Sequence, residues 1–556
     1  MFINKYKDPL LVFSFVFILS LFLFGGVLGA DYVLDDHSVV ENREELRSPA
    51  VAYKAFFMPW HQNQPWAGNY RPLTLLSYSA TLLFSESTFA IRLVNVVVHS
   101  ANAALVFALA LFFFSRKTAY IAALGFSILP INAGTVVSMV GRSDLLGVFF
   151  LVLSLLLFYK EKRFLSVLSF LLALLAKDFS ILLLPVIVLL SWFSKSYNLK
   201  ATVKTAFHYV FALIPYFLLR YLALGDYAFG SKGSVDPVIS PLAFVGLKER
   251  IMSGFVYFYL YLRKTFFPFD LSPDYSFNQI PVPNFLSPGL IVGFILLALV
   301  LFLFFKDGSQ KVKVSVILFL VSFGVISNTL FVTTGVFAER WWYFPSIGLV
   351  LFVLALLEYL PHGKKIYPAL IVITGVFYFF ISFGQARVWT DERKLITSAS
   401  KNSPNSAWAR ANLAAVYFKE KEFELAGNEV KNSLEIYNNY PFALNIYAKL
   451  KWREGKLDES ESAFLSAVEN DVNKRNHRDL YRALAILKLD KKDYGEALSY
   501  MRRVVESTAY GDVEKTFYLD NLLLSYTESA AKNKTRSLSE SETNIVKSFM
   551  VHIRGF

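Results

Sequence analysis

The chain has 556 residues, 55% of them hydrophobic, 17% aromatic and 18% charged, against roughly 25% charged in soluble proteins. Mean hydropathy is +0.44 and apolar runs of bilayer-spanning length recur from Pro9 to about Phe383, which excludes an ordinary soluble domain and predicts an all-α, polytopic membrane protein. The net charge of +13 does not mark a nucleic-acid binder, since much of the excess lies in short loops between apolar runs; the absence of cysteine excludes disulfides and thiolate metal sites.

Lys5 and Lys7 precede the first apolar run, Pro9 to Ala30, whose length of about 20 residues favours a retained helix over a cleaved signal. Residues 31–89 form a long external loop. It opens with Val33-Leu34-Asp35-Asp36, two adjacent carboxylates at the lip of the membrane, and continues through Trp60 and Trp66 to an interfacial helix from about Arg71 to Phe84. Further spans are expected at about 90–114, 117–139, 143–159, 163–176, 179–194, 203–223, 287–305, 313–332, 342–360 and 366–385, giving about eleven crossings. The segment 249–267 carries Lys248 and Arg250 at one end and Arg263 and Lys264 at the other, so it reads as interfacial or re-entrant.

One topology places every basic loop on the cytoplasmic side: Lys5/Lys7, Arg116/Lys117, Lys160/Lys162/Arg163, Lys195/Lys200/Lys204, Lys306/Lys311/Lys313 and Lys364/Lys365. The amino terminus is then cytoplasmic and the carboxyl-terminal region extracytoplasmic. Five charged clusters fall together outside: Asp35/Asp36, Arg142/Asp144, Lys177/Asp178, Asp270/Asp274 and Glu339/Arg340. Boundary charges would distribute over both faces, so their segregation predicts a polar chamber open to the outside. Arg92, Asn95, His99 and Asn102 make one polar stripe along an apolar helix, which must face the bundle interior or a cavity.

The membrane region is expected to occupy residues 1–390. Beyond it charged residues become frequent, and 407–440 aligns with 441–474 at a period of 34, the length of a tetratricopeptide repeat. Small residues recur at Ala414 and Ala448 and at Ala426 and Ser460, larger ones at Val430 and Phe464. With three extra residues the series continues through Ala485, Ala497 and Met501. Residues 391–530 therefore read as a superhelical binding domain for a partner or acceptor, capped at about 511–530, with a polar tail and short helix at 531–556.

Phosphate-loop, dinucleotide-turn and zinc-helix motifs are absent. An outward chamber of carboxylates and cations suits transfer of a sugar from a lipid phosphate. A carboxylate among Asp35, Asp36 and Asp144 takes the acceptor proton, and Arg142, Lys177 and Arg340 steady the leaving phosphate. In these residues the chain resembles the transmembrane and tetratricopeptide-repeat O-mannosyltransferases and their prokaryotic relatives, within the GT-C glycosyltransferases. The matching pieces, in family order, are Val33-Leu34-Asp35-Asp36 with Glu41-Asn42, Tyr70-Arg71-Pro72-Leu73-Thr74, Arg92 through Asn95 to His99, Gly141-Arg142-Ser143-Asp144 and Ala176-Lys177-Asp178. Leu271-Ser272-Pro273-Asp274-Tyr275, Ser327-Asn328, Ala338-Glu339-Arg340-Trp341-Trp342-Tyr343 and Trp389-Thr390-Asp391-Glu392 complete the set.

The resemblance implies a GT-C-like fold, a polyprenyl- or dolichyl-phosphate-linked sugar donor, mannose for preference, and a protein Ser or Thr acceptor docked on the repeats. It makes an acid of the first external loop the base, Asp35 with Asp36 as the alternative. Arg71, Asn95, His99, Arg142, Asp144, Lys177, Asp178, Glu339, Arg340 and Tyr343 then bind donor phosphate and sugar; a divalent cation is left open. It places the protein in the plasma or inner membrane of a prokaryote, or in the endoplasmic reticulum. Two departures stand out: Leu129-Pro130-Ile131-Asn132-Ala133-Gly134 replaces the family's H-P-x-H-x-E, and Lys177-Asp178 its Lys-Glu pair. The lost His and Glu keep two alternatives in view: a non-catalytic membrane-anchored scaffold, and a lipid-linked glycan polymerase or ligase.

Overall fold

A computed structural model describes residues 2–62, 65–194, 198–229, 236–333, 335–359, 366–472 and 476–506, and every regular element among them is helical. The chain divides into two compact units, Met1–Val416 and Tyr417–Phe556.

The first unit is an integral membrane bundle. Six helices are long and apolar enough to cross a bilayer: Asp8–Val27, Thr88–Ala110, Arg142–Tyr159, Leu199–Phe229, Pro288–Lys306 and Ala369–Thr390. The expected span at 117–139 is a pair, Arg116–Ser127 and Pro130–Val137, bent by 50°. Pro130 lies at the break, where its ring removes a backbone donor. Arg163–Ala176, Asp178–Phe193 and Pro345–Leu357 are apolar but shorter. An expected count of eleven thus leans on helices that, at about 1.5 Å per residue, fall short of a hydrocarbon core about 30 Å thick.

Local chemistry sets the helix starts. Ser87, Ser115 and Ser309 each accept an N–H from the residue three further on, and Pro72, Pro288 and Pro345 occupy first turns where a missing N–H costs nothing. The first external loop folds back on the bundle through its own small core of Val39, Val40, Leu46, Trp60, Leu75 and Tyr78. Arg43, fully buried, donates to the Trp60 carbonyl at 2.6 Å. The helix expected at the interface forms at Pro72–Leu82 but buries Pro72, Thr74, Leu75, Tyr78, Ser79 and Leu82. Thr74 and Tyr78 donate to the carbonyls of Ala176 (2.9 Å) and Met139 (2.7 Å), so this helix is tied into the bundle.

Helix Thr88–Ala110 defines two ends. Near its start Arg92 donates to the carbonyls of Val137 (3.0 Å) and Asp31 (2.6 Å). Just past its far end Arg116 pairs with Asp8, Thr118 donates to Glu358 at 3.3 Å, and Lys311 pairs with Glu358 at 2.6 Å.

The second unit packs helices Phe423–Ile436, Pro441–Arg453, Leu457–Asn470, His477–Asp490 and Tyr494–Glu506. Ala426, Val430, Ala448, Ser460, Phe464, Ala485 and Ala497 are all fully buried. Ser460 donates to the Ala448 carbonyl across one helical pair at 2.8 Å. Left-handed residues Lys421, Gly455 and Lys492 close successive inter-helix turns, 34 and then 37 residues apart, which is the repeat with its three-residue insertion. The expected cap at 511–530 and tail at 531–556 lie outside the described residues.

Candidate active site

The five charged clusters gather at one end of the first unit. Asp144 pairs with Lys177 at 3.0 Å. Ser143 Oγ stands 3.4 Å from both Lys177 Nζ and Arg71 Nη1. Gly147 permits this approach, because a Cβ there would lie 2.9 Å from the Lys177 Cβ. Asp144, Lys177, Arg340 and Tyr343 line a narrow crevice walled by Val148, Leu151, Phe179 and Phe344. Burial, helped by repulsion from Arg71 and Arg340, pulls the Lys177 ammonium down to about 8. Two guanidiniums thus act on Lys177, whose paired carboxylate is Asp144, and among the described residues the Nε of Arg71 and the Oγ of Ser180 are buried without a hydrogen-bond partner. Such a set is short of negative charge, the electrostatics that suit an anion.

Arg340 and Trp341 also line a larger cavity of about 470 Å³, together with Asp35, Asp274, Glu339, Trp389 and Trp408. The Asp35 side chain is exposed there and makes no hydrogen bond or ion pair among the described residues; the same holds for Arg340. Leu34, the residue before Asp35, sits at φ +50°, a left-handed conformation unfavourable to a branched side chain. Asp36, by contrast, is 1% exposed. It accepts N–H groups from Val140 (3.2 Å) and Val33 (3.4 Å) and faces Arg92 at 3.9 Å. Burial pushes it up to about 7 against the pull of Arg92. Asp36 anchors the loop, and Asp35 is the group left facing the cavity.

Several residues expected to bind donor do something else. Arg142 is fully buried: it donates to Asn95 Oδ1 (2.9 Å), Ser77 O (3.1 Å), Thr81 Oγ1 (3.0 Å) and the Ile91 carbonyl, with Tyr78 under its guanidinium at 4.8 Å. Its donors are taken up by these four acceptors of helices Pro72–Leu82 and Thr88–Ala110, so it works as an internal tie between them. Asn95 donates to the carbonyls of Val136 (3.2 Å) and Ser138 (2.8 Å). His99 bridges Tyr343 OH (2.6 Å) and the Ser127 carbonyl (3.1 Å), and Asn102 donates to Leu145 O at 3.0 Å. The polar stripe is therefore an internal pin across three helices; of these partners Tyr343 reaches the crevice. Asp178 turns aside to Arg220 (3.4 Å) and Tyr216 (3.2 Å).

Glu339 lies at the cavity wall and accepts from Ser272 N at 2.7 Å and from Tyr275 OH. Burial raises it to about 7, opposed by Lys264. The loop it holds is sewn to the turn before Trp408: Asp274 accepts from Ser406 Oγ at 2.6 Å, Ala407 N donates to Phe277 O at 2.6 Å, and Asn402 donates to Leu271 O at 2.6 Å. Trp408 and Asn412 were not legible as site residues in the sequence, where they read as repeat positions. Trp389 stood within a family motif but carried no charge to single it out. Among the described residues no group of three or more His, Cys, Asp or Glu side chains is placed to hold a metal ion.

No family model matches the chain. It is 23% identical over 417 residues to the Caenorhabditis elegans protein O-mannosyl-transferase F38B6.6, covering 72% of this chain and 59% of that protein. Over 141 residues it is 30% identical to mouse protein O-mannosyl-transferase TMTC3, 24% of this chain and 15% of that one. Over 149 residues it is 34% identical to Xenopus laevis protein O-mannosyl-transferase tmtc2, 26% of this chain and 18% of that one. The chain thus spans less than two thirds of the length of these relatives. Among solved structures, the APC/C hetero-tetramer Cut9–Hcn1 overlaps 86% of this chain and 92% of its own at 10% identity, with a TM-score of 0.24, too slight a likeness to bear on the fold. What the chain resembles in sequence, over most of its length in one case, is the transmembrane and tetratricopeptide-repeat group of protein O-mannosyl-transferases.

Proposed function

We propose that this chain is a membrane glycosyltransferase that moves mannose from a polyprenyl or dolichyl phosphate to Ser or Thr hydroxyls of proteins on the extracytoplasmic face. The observation that carries the reading is the shared position of Arg340, which lines both the cationic crevice of Lys177 and the cavity of Asp35. A lipid phosphate at the mouth of the crevice, beside Arg340, sets its anomeric carbon at that junction. Asp35, without a partner of its own, takes the acceptor hydroxyl's proton as the oxygen attacks the anomeric carbon. The bond from that carbon to the phosphate oxygen breaks, and its electron pair leaves on a phosphate held by Arg340, Lys177 and Arg71. One displacement by one base inverts the anomeric centre. The repeats bind the acceptor protein. The sequence likeness to proteins named as O-mannosyl-transferases supports the sugar and the acceptor class.

The test is transfer of labelled mannose from its lipid phosphate to a Ser/Thr peptide by the full chain reconstituted in membranes. D35N is expected to lose transfer by about a hundredfold or more and D36N to retain it in whatever fraction folds. Full transfer by D35N would remove Asp35 from the mechanism.

A further inference from the structure

Three of the eight tryptophans in the sequence, Trp341, Trp389 and Trp408, line the cavity that holds Asp35. They come from distant places: the short helix at Glu339–Trp342, the kink at Val388–Thr390, and the helix Ala407–Lys419. Each is half-buried, and among the described residues none stacks on another ring or donates its indole N–H. Two are seated on glycine. A Cβ at Gly134 would lie 3.1 Å from Trp389 Cζ2, and one at Gly335 would lie 3.0 Å from Trp341 Cη2, so each ring rests where a larger residue would push it away. Asn412, one helical turn from Trp408, lies on the same wall and donates from its amide to the Trp408 carbonyl at 2.8 Å, which leaves its second N–H and its Oδ1.

Membrane-interface tryptophans face lipid headgroups. These three face an enclosure shared with Asp35 and Asp274. Indole faces, which bind C–H groups, beside an amide and a carboxylate, which bind hydroxyls, are the two chemistries a pyranose presents on its two aspects. We infer that Trp341, Trp389 and Trp408, with Asn412, form a pyranose-binding subsite that grips the sugar ring beside Asp35. The inference rests on the donor reading above and adds to it the residues that recognise the sugar rather than the phosphate.

The test compares the affinity of the full chain in lipid nanodiscs for polyprenyl-phosphate mannose and for polyprenyl phosphate alone, by competition against labelled polyprenyl phosphate. Wild type is expected to prefer the sugar-bearing lipid by about tenfold or more, equivalent to about 1.4 kcal/mol. W389A and W408A should collapse that preference while still binding the sugar-free lipid, which also reports that they fold; W389F should keep most of it. R340A should weaken both lipids alike. A preference unchanged in W389A and W408A, or no preference in wild type, overturns the subsite and leaves the phosphate reading standing. Binding of neither lipid by wild type ends both.

Discussion

Asp35 and Asp36 are neighbours in the chain and opposites in circumstance. The left-handed Leu34 turns the backbone so that one carboxylate enters the bundle and the other faces the cavity. Held by two N–H groups near Arg92, Asp36 serves the loop, so D36N should lower melting temperature more than it lowers turnover per folded molecule. Conformations like that of Leu34 cost about 1–3 kcal/mol, so L34G should leave stability unchanged or raise it while loosening Asp35, seen as lower kcat at constant donor KM. Glu339 yields a pH prediction. Its folded-state acidity, about 7 against an ordinary 4.5, means the folded chain holds that proton more tightly than the unfolded one. Its contribution to stability is therefore full below about 4.5 and is lost as pH rises through about 7. E339Q should flatten that part of the melting-temperature profile in detergent; an unchanged slope would assign it to other groups, Asp36 among them.

At the scale of elements, the segregation of charged clusters was legible because charge in an apolar run is costly and recurs where structure needs it. What that signal could not separate was a cation aimed at a ligand from a cation spent on the fold. Arg142 and Arg340 look alike in sequence, each beside an acid at a helix start. They differ because helices Pro72–Leu82 and Thr88–Ala110 bring the carbonyls of Ser77 and Ile91, Thr81 Oγ1 and Asn95 Oδ1 to Arg142, while Arg340 receives no acceptor among the described residues. R142Q should therefore cost about 3 kcal/mol of stability, through buried acceptors left unpaired, and appear as loss of folded protein in a detergent thermal shift. R340A should fold normally and raise donor KM. Trp389 and Trp408 were illegible for a different reason: an aromatic at helical spacing carries no signature until the chain around it closes. The clasp between 271–278 and 402–407 performs that closure, and it depends on Asp274, Ser403 and Ser406, short polar residues common in any turn.

On the scale of the whole molecule, the first unit has a chemical polarity that predicts an orientation in a bilayer. The end carrying Asp35, Lys177 and Arg340 is rich in acids and mixed clusters; the other gathers Asp8, Arg116, Lys311 and Glu358 around loops dominated by lysine and arginine. The rule that basic loops stay cytoplasmic predicts that the cavity opens on the opposite side, where the proposed lipid-linked sugar would meet an exported acceptor. The sequence contains no cysteine, so single introduced thiols can report this directly. Glu86, exposed near the cavity end, and Lys117, exposed near the other, lie on either side of helix Thr88–Ala110 and outside the site. In intact cells, or spheroplasts where an outer wall intervenes, a membrane-impermeant maleimide should label E86C, and should label K117C only after permeabilisation. The reverse pattern would put the cavity on the cytoplasmic side, and an extracytoplasmic transferase could not then be built on it, whatever its residues could do to a sugar phosphate.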